Sequence, residues 1–304
     1  MSWREFDLIR GFRTMGVKDP SVLVGPGDDC AVLRFGKQKV VLTTDMIQEG
    51  TDFLPDTPLF KVGWKAVMIS ASDVAAMGCS PTHFVIASAL PSEMSQNELD
   101  QLWHGLYSAA ETVGASIVGG DLSKGPELTL VSTALGVPFG DEPILRSTAS
   151  VGDKVCVSGP LGGSILGHHL DFVARVDFAE VLAVSGYATS AIDISDGLSG
   201  DLVHIAEESG LGFELFAEAI PISLAAKKLS LDSGKSALSH ALHDGEDFEL
   251  LFTVPPAYVE QLKALCSGKG LEMHIIGEMK SKDEGWLISS GGITTPLEIR
   301  SYAH

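Results

Sequence analysis

The chain has 304 residues, of which 40 are acidic and 21 basic, for a formal net charge of −19; that balance argues against a nucleic-acid partner, because phosphate recognition needs a basic face. Hydrophobic residues make up 45% of the sequence, enough core for one large domain or two ordinary ones, and intrinsic disorder is not expected. Cys30, Cys79, Cys156 and Cys266 fall in no metal-ligand spacing, the first ten residues hold no secretory pattern, and Lys65, Asp73 and His83 interrupt the apolar stretch 62–90, so the expectation is a cytoplasmic chain with no membrane span.

In chain order, Val40-Val-Leu-Thr-Thr-Asp45 reads as a β-branched strand ending in a carboxylate, and residues 63–77 carry small and apolar residues at helical spacing. A second helix is expected from Ser95 to Gly114, with Ser95 and Glu98 in the capping-box arrangement and Gly114 as the stop. Strands follow at 116–121 and 128–134. The stretch Pro138-Phe-Gly-Asp-Glu-Pro143 is the expected boundary between two domains, 1–140 and 141–304. Beyond it, strands are expected at 154–158, 191–196, 248–254 and 273–276, and a helix at 198–209. The fold class is α/β, of the α+β kind, with strand order left open.

Six short segments share one design, an apolar strand or helix end meeting Gly, Ser or Thr beside an acid. They are Gly27-Asp-Asp-Cys30, Thr43-Thr-Asp45, Ser72-Asp73, Gly119-Gly-Asp121, Asp193-Ile-Ser-Asp196 and Gly245-Glu-Asp247. One Gly-Asp pair is an ordinary turn, whereas six at the ends of apolar elements point to a ligand. Two desolvated charges about 4 Å apart repel by roughly 4 kcal/mol at an effective dielectric near 20, so such acids need a counter-charge. Mg2+ suits hard oxygen donors, and several such ions together suit a polyphosphate. Asp73 stands out because it lies inside an otherwise apolar helix.

Other templates fail. Ser233-Gly-Lys-Ser236 resembles the end of a phosphate loop, but Leu229 replaces the first glycine, so it reads as a surface turn. Gly25-Pro-Gly-Asp-Asp-Cys30 is a poor dinucleotide fingerprint. There is no GxSxG or HExxH, no histidine has an obvious metal partner at helical spacing, and His204 reads as a helix-packing residue.

Taken in order, Glu5-Phe-Asp-Leu-Ile9, Gly27-Asp-Asp-Cys-Ala31, Thr43-Thr-Asp45, Ser72-Asp-Val-Ala-Ala-Met-Gly78, Gly119-Gly-Asp121, Ile194-Ser-Asp-Gly-Leu198 and Gly245-Glu-Asp-Phe-Glu-Leu-Leu-Phe252 resemble the thiamine-monophosphate kinases. These belong to a superfamily of ATP-binding enzymes that includes aminoimidazole ribonucleotide synthetase. The resemblance implies a two-domain synthetase-like fold, a homodimer whose N-terminal sheets join in a β-barrel, and ATP-dependent, Mg2+-dependent phosphorylation of thiamine monophosphate. It implies metal ligation by Asp29, Thr43, Thr44, Asp45, Asp73, Asp121, Asp193 and Asp196. Nucleotide contacts are implied for Tyr107, Gly120, Asp121, Arg146 and Ser195, substrate contacts for Glu246 and Tyr302, and charge neutralisation during transfer for Arg146 or Lys124. Asp52 stands at a substrate position where the family usually has His, and Lys124 where it usually has Arg. The alternatives are a related ATP-dependent kinase or synthetase with another small substrate, and a nucleotide-binding dimer without catalysis.

Overall fold

The computed structural model describes residues 19–300 together with Gly11 and Gly16; Tyr302, and the segment 5–9 of the family resemblance, lie outside the described residues. Two mixed sheets, each with helices packed against it, make an α/β molecule with two layered units. The first sheet runs in the order β1 (Val22–Val24), β2 (Ala31–Phe35), β3 (Gln38–Gln48), β6 (Thr129–Pro138), β4 (Cys79–Leu90), β5 (Ser116–Lys124). Its neighbours are antiparallel except β4 and β5, which run parallel. It is an open sheet with β1 and β5 at its edges.

Helix α1 (Leu59–Ala76) covers one face of this sheet and α2 (Gln96–Thr112) lies across α1. Their backbones cross closely because glycines meet there: a Cβ on Gly63 would stand 2.3 Å from the Leu102 carbonyl oxygen, and one on Gly105 2.0 Å from that of Phe60. The capping box expected at α2 is present, with Ser95 accepting from the Glu98 amide and Glu98 accepting from the Ser95 amide. Helix α1 starts at Leu59, four residues before the expected start, because Pro58 takes the capping position that its fixed φ allows. Gly78 at φ 65° ends the helical run and turns the chain into β4.

The second sheet has the order β13 (Ile293–Pro296), β12 (Trp286–Ser290), β9 (Gly212–Phe216), β11 (His274–Lys280), β7 (Lys154–Val157), β10 (Leu250–Val254), β8 (Ser190–Asp193). Around it stand α3 (His168–Asp171), α4 (Val176–Ser185), α5 (Leu198–Ser209), α6 (Leu224–Ser233), α7 (Ala237–His243) and α8 (Val259–Gly268). Strand β8 stops at Asp193, three residues short of the expected end, and the turn Ile194–Gly197 leads into α5, whose bounds match the expectation.

Helix α1 belongs to both units. Val62, Val67 and Met68 pack into the core under the first sheet, while Ala75 and Ala76 pack with Phe178, Leu182 and Phe252 of the second. All four cysteines are free and buried, as core fillers. Among the described residues, no helix is long and apolar enough to cross a membrane.

Candidate active site

The acids gather where α1 lies between β3 and the end of β8. Carboxylate oxygens of Asp29, Asp73 and Asp193 lie within 4.8 Å of one another. Each acid on or near α1 is met by a hydroxyl. Thr43 donates to Asp73 Oδ2 at 2.6 Å, Ser70 to Asp45 Oδ2 at 2.7 Å, and Ser72 to Asp193 Oδ2 at 2.6 Å. Thr43 and Asp45 reach α1 because residues two apart share one face of a strand. Thr44 therefore faces the other way, and its hydroxyl meets the Ser132 carbonyl and Thr133 of β6.

Burial and mutual repulsion raise these carboxyls. Desolvation pushes Asp193 up to about 7 and Asp45 to about 6, and the charge of Asp29 adds to both. Asp73 rises well above its ordinary value through burial and then the charges of Asp45, Asp193 and Asp29. Among the described residues no Lys or Arg makes an ion pair with Asp45, Asp73 or Asp193. Arg146 stands at the edge of the cluster, where it grips Asp29 with a two-pronged guanidinium contact and donates its backbone N–H to Asp28 Oδ2 at 3.2 Å. Burial works against the Arg146 charge, and the carboxylates of Asp29, Asp28 and Asp73 together more than offset it. Asp28 itself is pushed to about 6, chiefly by burial and then by Asp29.

Beyond Asp193, the turn into α5 carries Ser195 and Asp196. Ligand atoms of Asp196, Asp201 and His204 also lie within 4.8 Å of one another. This corrects the expectation that no histidine has a metal partner at helical spacing: Asp201 and His204 sit one turn apart on α5 and share its face toward Asp196. Burial, then the charges of Asp196 and Asp193, hold the Asp201 carboxyl well above its ordinary value.

A second group lies on the edge strand β5. Tyr107, Gly120 and Asp121, with Ile86, Trp103 and Leu106, line a cavity of about 360 Å³ whose walls are mainly apolar. Gly120 is in register with Asp45 through Ile86 and Ser132, three strand spacings away, or about 14 Å. Asp121 and Lys124 are exposed on β5, so within one chain they stand apart from the carboxylate cluster.

A third group surrounds the 244–249 turn. Glu246 and Phe248 adopt positive φ, 63° and 50°, although neither is glycine. The Glu246 amide donates to the Ser195 carbonyl at 2.7 Å and the Phe248 amide to that of Ile194 at 2.8 Å, so this turn is bonded to the loop bearing Asp196. Phe248 stacks on Phe172 with ring centroids 4.0 Å apart. Asp247 accepts from the Gly162 amide, and Glu249 accepts from Ser158 and Arg175. Asp52 turns its carboxylate onto the Gln48 amide of its own loop, 2.7 Å away.

Sequence reasoning named Asp29, Asp45, Asp73 and Asp193, and the chain brings them together. Asp28 and Ser72 lie in segments the sequence singled out without receiving a role of their own, whereas Ser70 and the buried Lys65 were not named as site residues; the signal of Lys65 was the one that marked Asp73, a charge inside an apolar helix.

Two family models match the chain: AIR synthase related protein, N-terminal domain, over residues 27–138, and its C-terminal domain over residues 149–288. Curated relatives include a thiamine-monophosphate kinase of Rhodopirellula baltica, 41% identical over 78% of this chain and 78% of that protein. Another is the thiamine-monophosphate kinase of Haemophilus influenzae, 33% identical over 93% of this chain and 91% of its own length. A solved structure described as AaThiL complexed with AMPPCP and TMP superposes with a TM-score of 0.87 at 29% identity, covering 100% of this chain and 99% of that one. The chain belongs to the AIR synthase related family and, within it, to the thiamine-monophosphate kinases.

Proposed function

We propose that this protein transfers the γ-phosphoryl group of ATP to the phosphate of thiamine monophosphate, giving thiamine diphosphate and ADP. The observation that carries the reading is the Asp29, Asp73 and Asp193 cluster beside Arg146, in a chain that superposes along its whole length on a relative solved with an ATP analogue and TMP.

The acceptor oxygen is already anionic near neutral pH, so the reaction needs no general base or protein nucleophile; it needs alignment and neutralisation of charge. The donor set fits Mg2+: buried carboxylates and hydroxyls, hard oxygen throughout, with Arg146, among the described residues, as the paired cation at their edge. Asp29, Asp45, Asp73 and Asp193 would hold it, with Thr43 beside them; the resemblance adds Thr44, Asp121 and Asp196, which lie outside this cluster and would serve further ions. When bound, Mg2+ supplies neutralisation of the polyphosphate charge. Tyr107 and Gly120 shape the apolar cavity for the nucleotide base, Arg146 and Ser195 face its phosphates, and Lys124 adds a positive charge at the end of β5. Glu246, Asp52 and Tyr302 serve the acceptor.

The same reading includes a homodimer in which two N-terminal sheets close a barrel. The outward face of the first sheet supports it: Leu42, Met46 and Val85 are exposed there, and β5 is an uncovered edge. The division near residue 140, and a cytoplasmic location, belong to this reading as well.

The test is chromatographic detection of thiamine diphosphate after incubation with ATP, thiamine monophosphate and Mg2+, with a metal-free control. Magnesium-dependent product is expected, and its loss in Asp73→Asn. A wild-type protein that binds ATP and forms no thiamine diphosphate overturns the reading.

A further inference from the structure

Lys65 lies in α1 among apolar and small residues, and its side chain is only 1% exposed. An ammonium withdrawn from water this completely persists only with partners, and as a stabilising device it is a poor one, since apolar residues of similar volume usually serve a core as well or better. Its Nζ donates to Glu246 Oε1 at 2.5 Å and to the Asp52 carbonyl oxygen at 2.9 Å. One buried charge thus joins the loop after β3 to the turn before β10.

The acceptor of this charge is itself unusual. Glu246 holds a left-handed backbone that its β-carbon disfavours, yet its side chain is 36% exposed, so core packing does not account for the strain. Its amide is bonded to the Ser195 carbonyl, two residues past Asp193, so the turn that carries this carboxylate is tied to the loop leaving the cluster. Neighbouring contacts give α1 the rigidity to fix it: Lys61 pairs with Asp171, Trp64 donates to the Phe172 carbonyl, and Ser72 donates to Asp193. Residues 61, 64, 65, 68 and 72 follow the helical spacing of a single face.

We propose that Lys65 is a positioning residue for the acceptor: it aims the Glu246 carboxylate, and holds the Asp52 loop, for the amine-bearing, cationic end of thiamine monophosphate. The inference rests on the function proposed above. A carboxylate recognises both an amino N–H and a thiazolium charge, and it does so only while held in one orientation.

The experiment is steady-state kinetics with each substrate varied, on the wild type, Lys65→Met, Glu246→Gln and the double variant. In Lys65→Met, KM for thiamine monophosphate is expected to rise on the order of 10-fold, as when a group supporting a ligating side chain is lost, while KM for ATP and kcat stay within about twofold. Glu246→Gln is expected to raise the same KM, and the double variant to be no worse than the weaker-binding single one, because both act through one contact. An unchanged KM for thiamine monophosphate in Lys65→Met, parallel rises for both substrates, or effects that multiply in the double variant would each overturn the proposal. Should Lys65→Met fail to fold, Glu246→Gln breaks the pair from its exposed end, and an unchanged KM there overturns it equally. A wild type with no turnover of thiamine monophosphate sinks the parent reading and this one together, which differs from an active wild type whose variants match it.

Discussion

The Ser72 hydroxyl donates to Asp193 Oδ2 across 2.6 Å, with both side chains buried. This bond joins the middle of α1 to the end of β8, and so one sheet to the other. Ser72→Ala removes the donor and leaves a buried carboxyl short of a partner. The expected cost is about 1 to 3 kcal/mol in urea unfolding of the metal-free protein, and a change within about 0.5 kcal/mol would refute the structural weight given to this bond.

The pH dependence of stability follows from the raised carboxyls. Asp45 and Asp193, with folded values of about 6 and about 7 against an ordinary 3.8, bind protons more tightly in the folded chain than in the unfolded one. Their contribution is therefore fully present below about pH 4 and is lost as pH rises through about 6 to 7. Mg2+ requires the deprotonated acids, so it restores stability where protons no longer do. Melting curves at pH 5, 6.5 and 8 should show a gap between magnesium-saturated and chelator-treated protein that widens with pH; a constant or shrinking gap contradicts the assignment of the metal to this cluster.

Arg146 contacts Asp29 through two guanidinium nitrogens and Asp28 through its backbone N–H. Lysine keeps the charge and loses the fork. Arg146→Lys is expected to lower kcat on the order of 10²-fold, as the loss of a preorganised donor to developing charge does. Equal kcat in wild type and variant would place Arg146 outside the phosphoryl-transfer step.

Gly120 and Gly119 make a paired test on β5. A Cβ on Gly120 would stand 1.9 Å from the Ile86 carbonyl oxygen of the paired strand, whereas one on Gly119 meets nothing within 4 Å. Gly120→Ala should cost on the order of 3 kcal/mol and abolish the thermal shift produced by nucleotide, while Gly119→Ala stays within about 0.5 kcal/mol in stability. Equal melting temperatures for the two variants would contradict this packing.

What the sequence discloses depends on how local the cause is. The Ser95–Glu98 capping box and the glycines bracketing α5 are written within a few residues, and the elements they imply are present. Strand β4 is hidden, because residues 62–90 are apolar almost throughout and only Gly78 separates the helix from the strand. Short α6 and α7 lie in a polar stretch with weak periodicity, β12 has a single β-branched residue, and β13, though β-branched over Ile293 to Thr295, is four residues long and exposed. In the site, acids at element ends were legible one by one. Their hydroxyl partners Ser70 and Ser72, the pairing of Asp201 with His204, and the separation of Asp121 from Asp45 depend on which elements become neighbours, which no local pattern encodes.

The double membership of α1 also limits how this chain can be divided. Cut at the sequence boundary, the N-terminal piece would expose Ala75, Ala76 and the partners' side of Lys65 and Ser72, and the C-terminal piece would lose the lid over Phe178 and Leu182. Neither fragment carries a complete interior, so the two sheets should melt in one cooperative transition, and slow amide exchange along α1 should track the stability of the whole molecule rather than of either half.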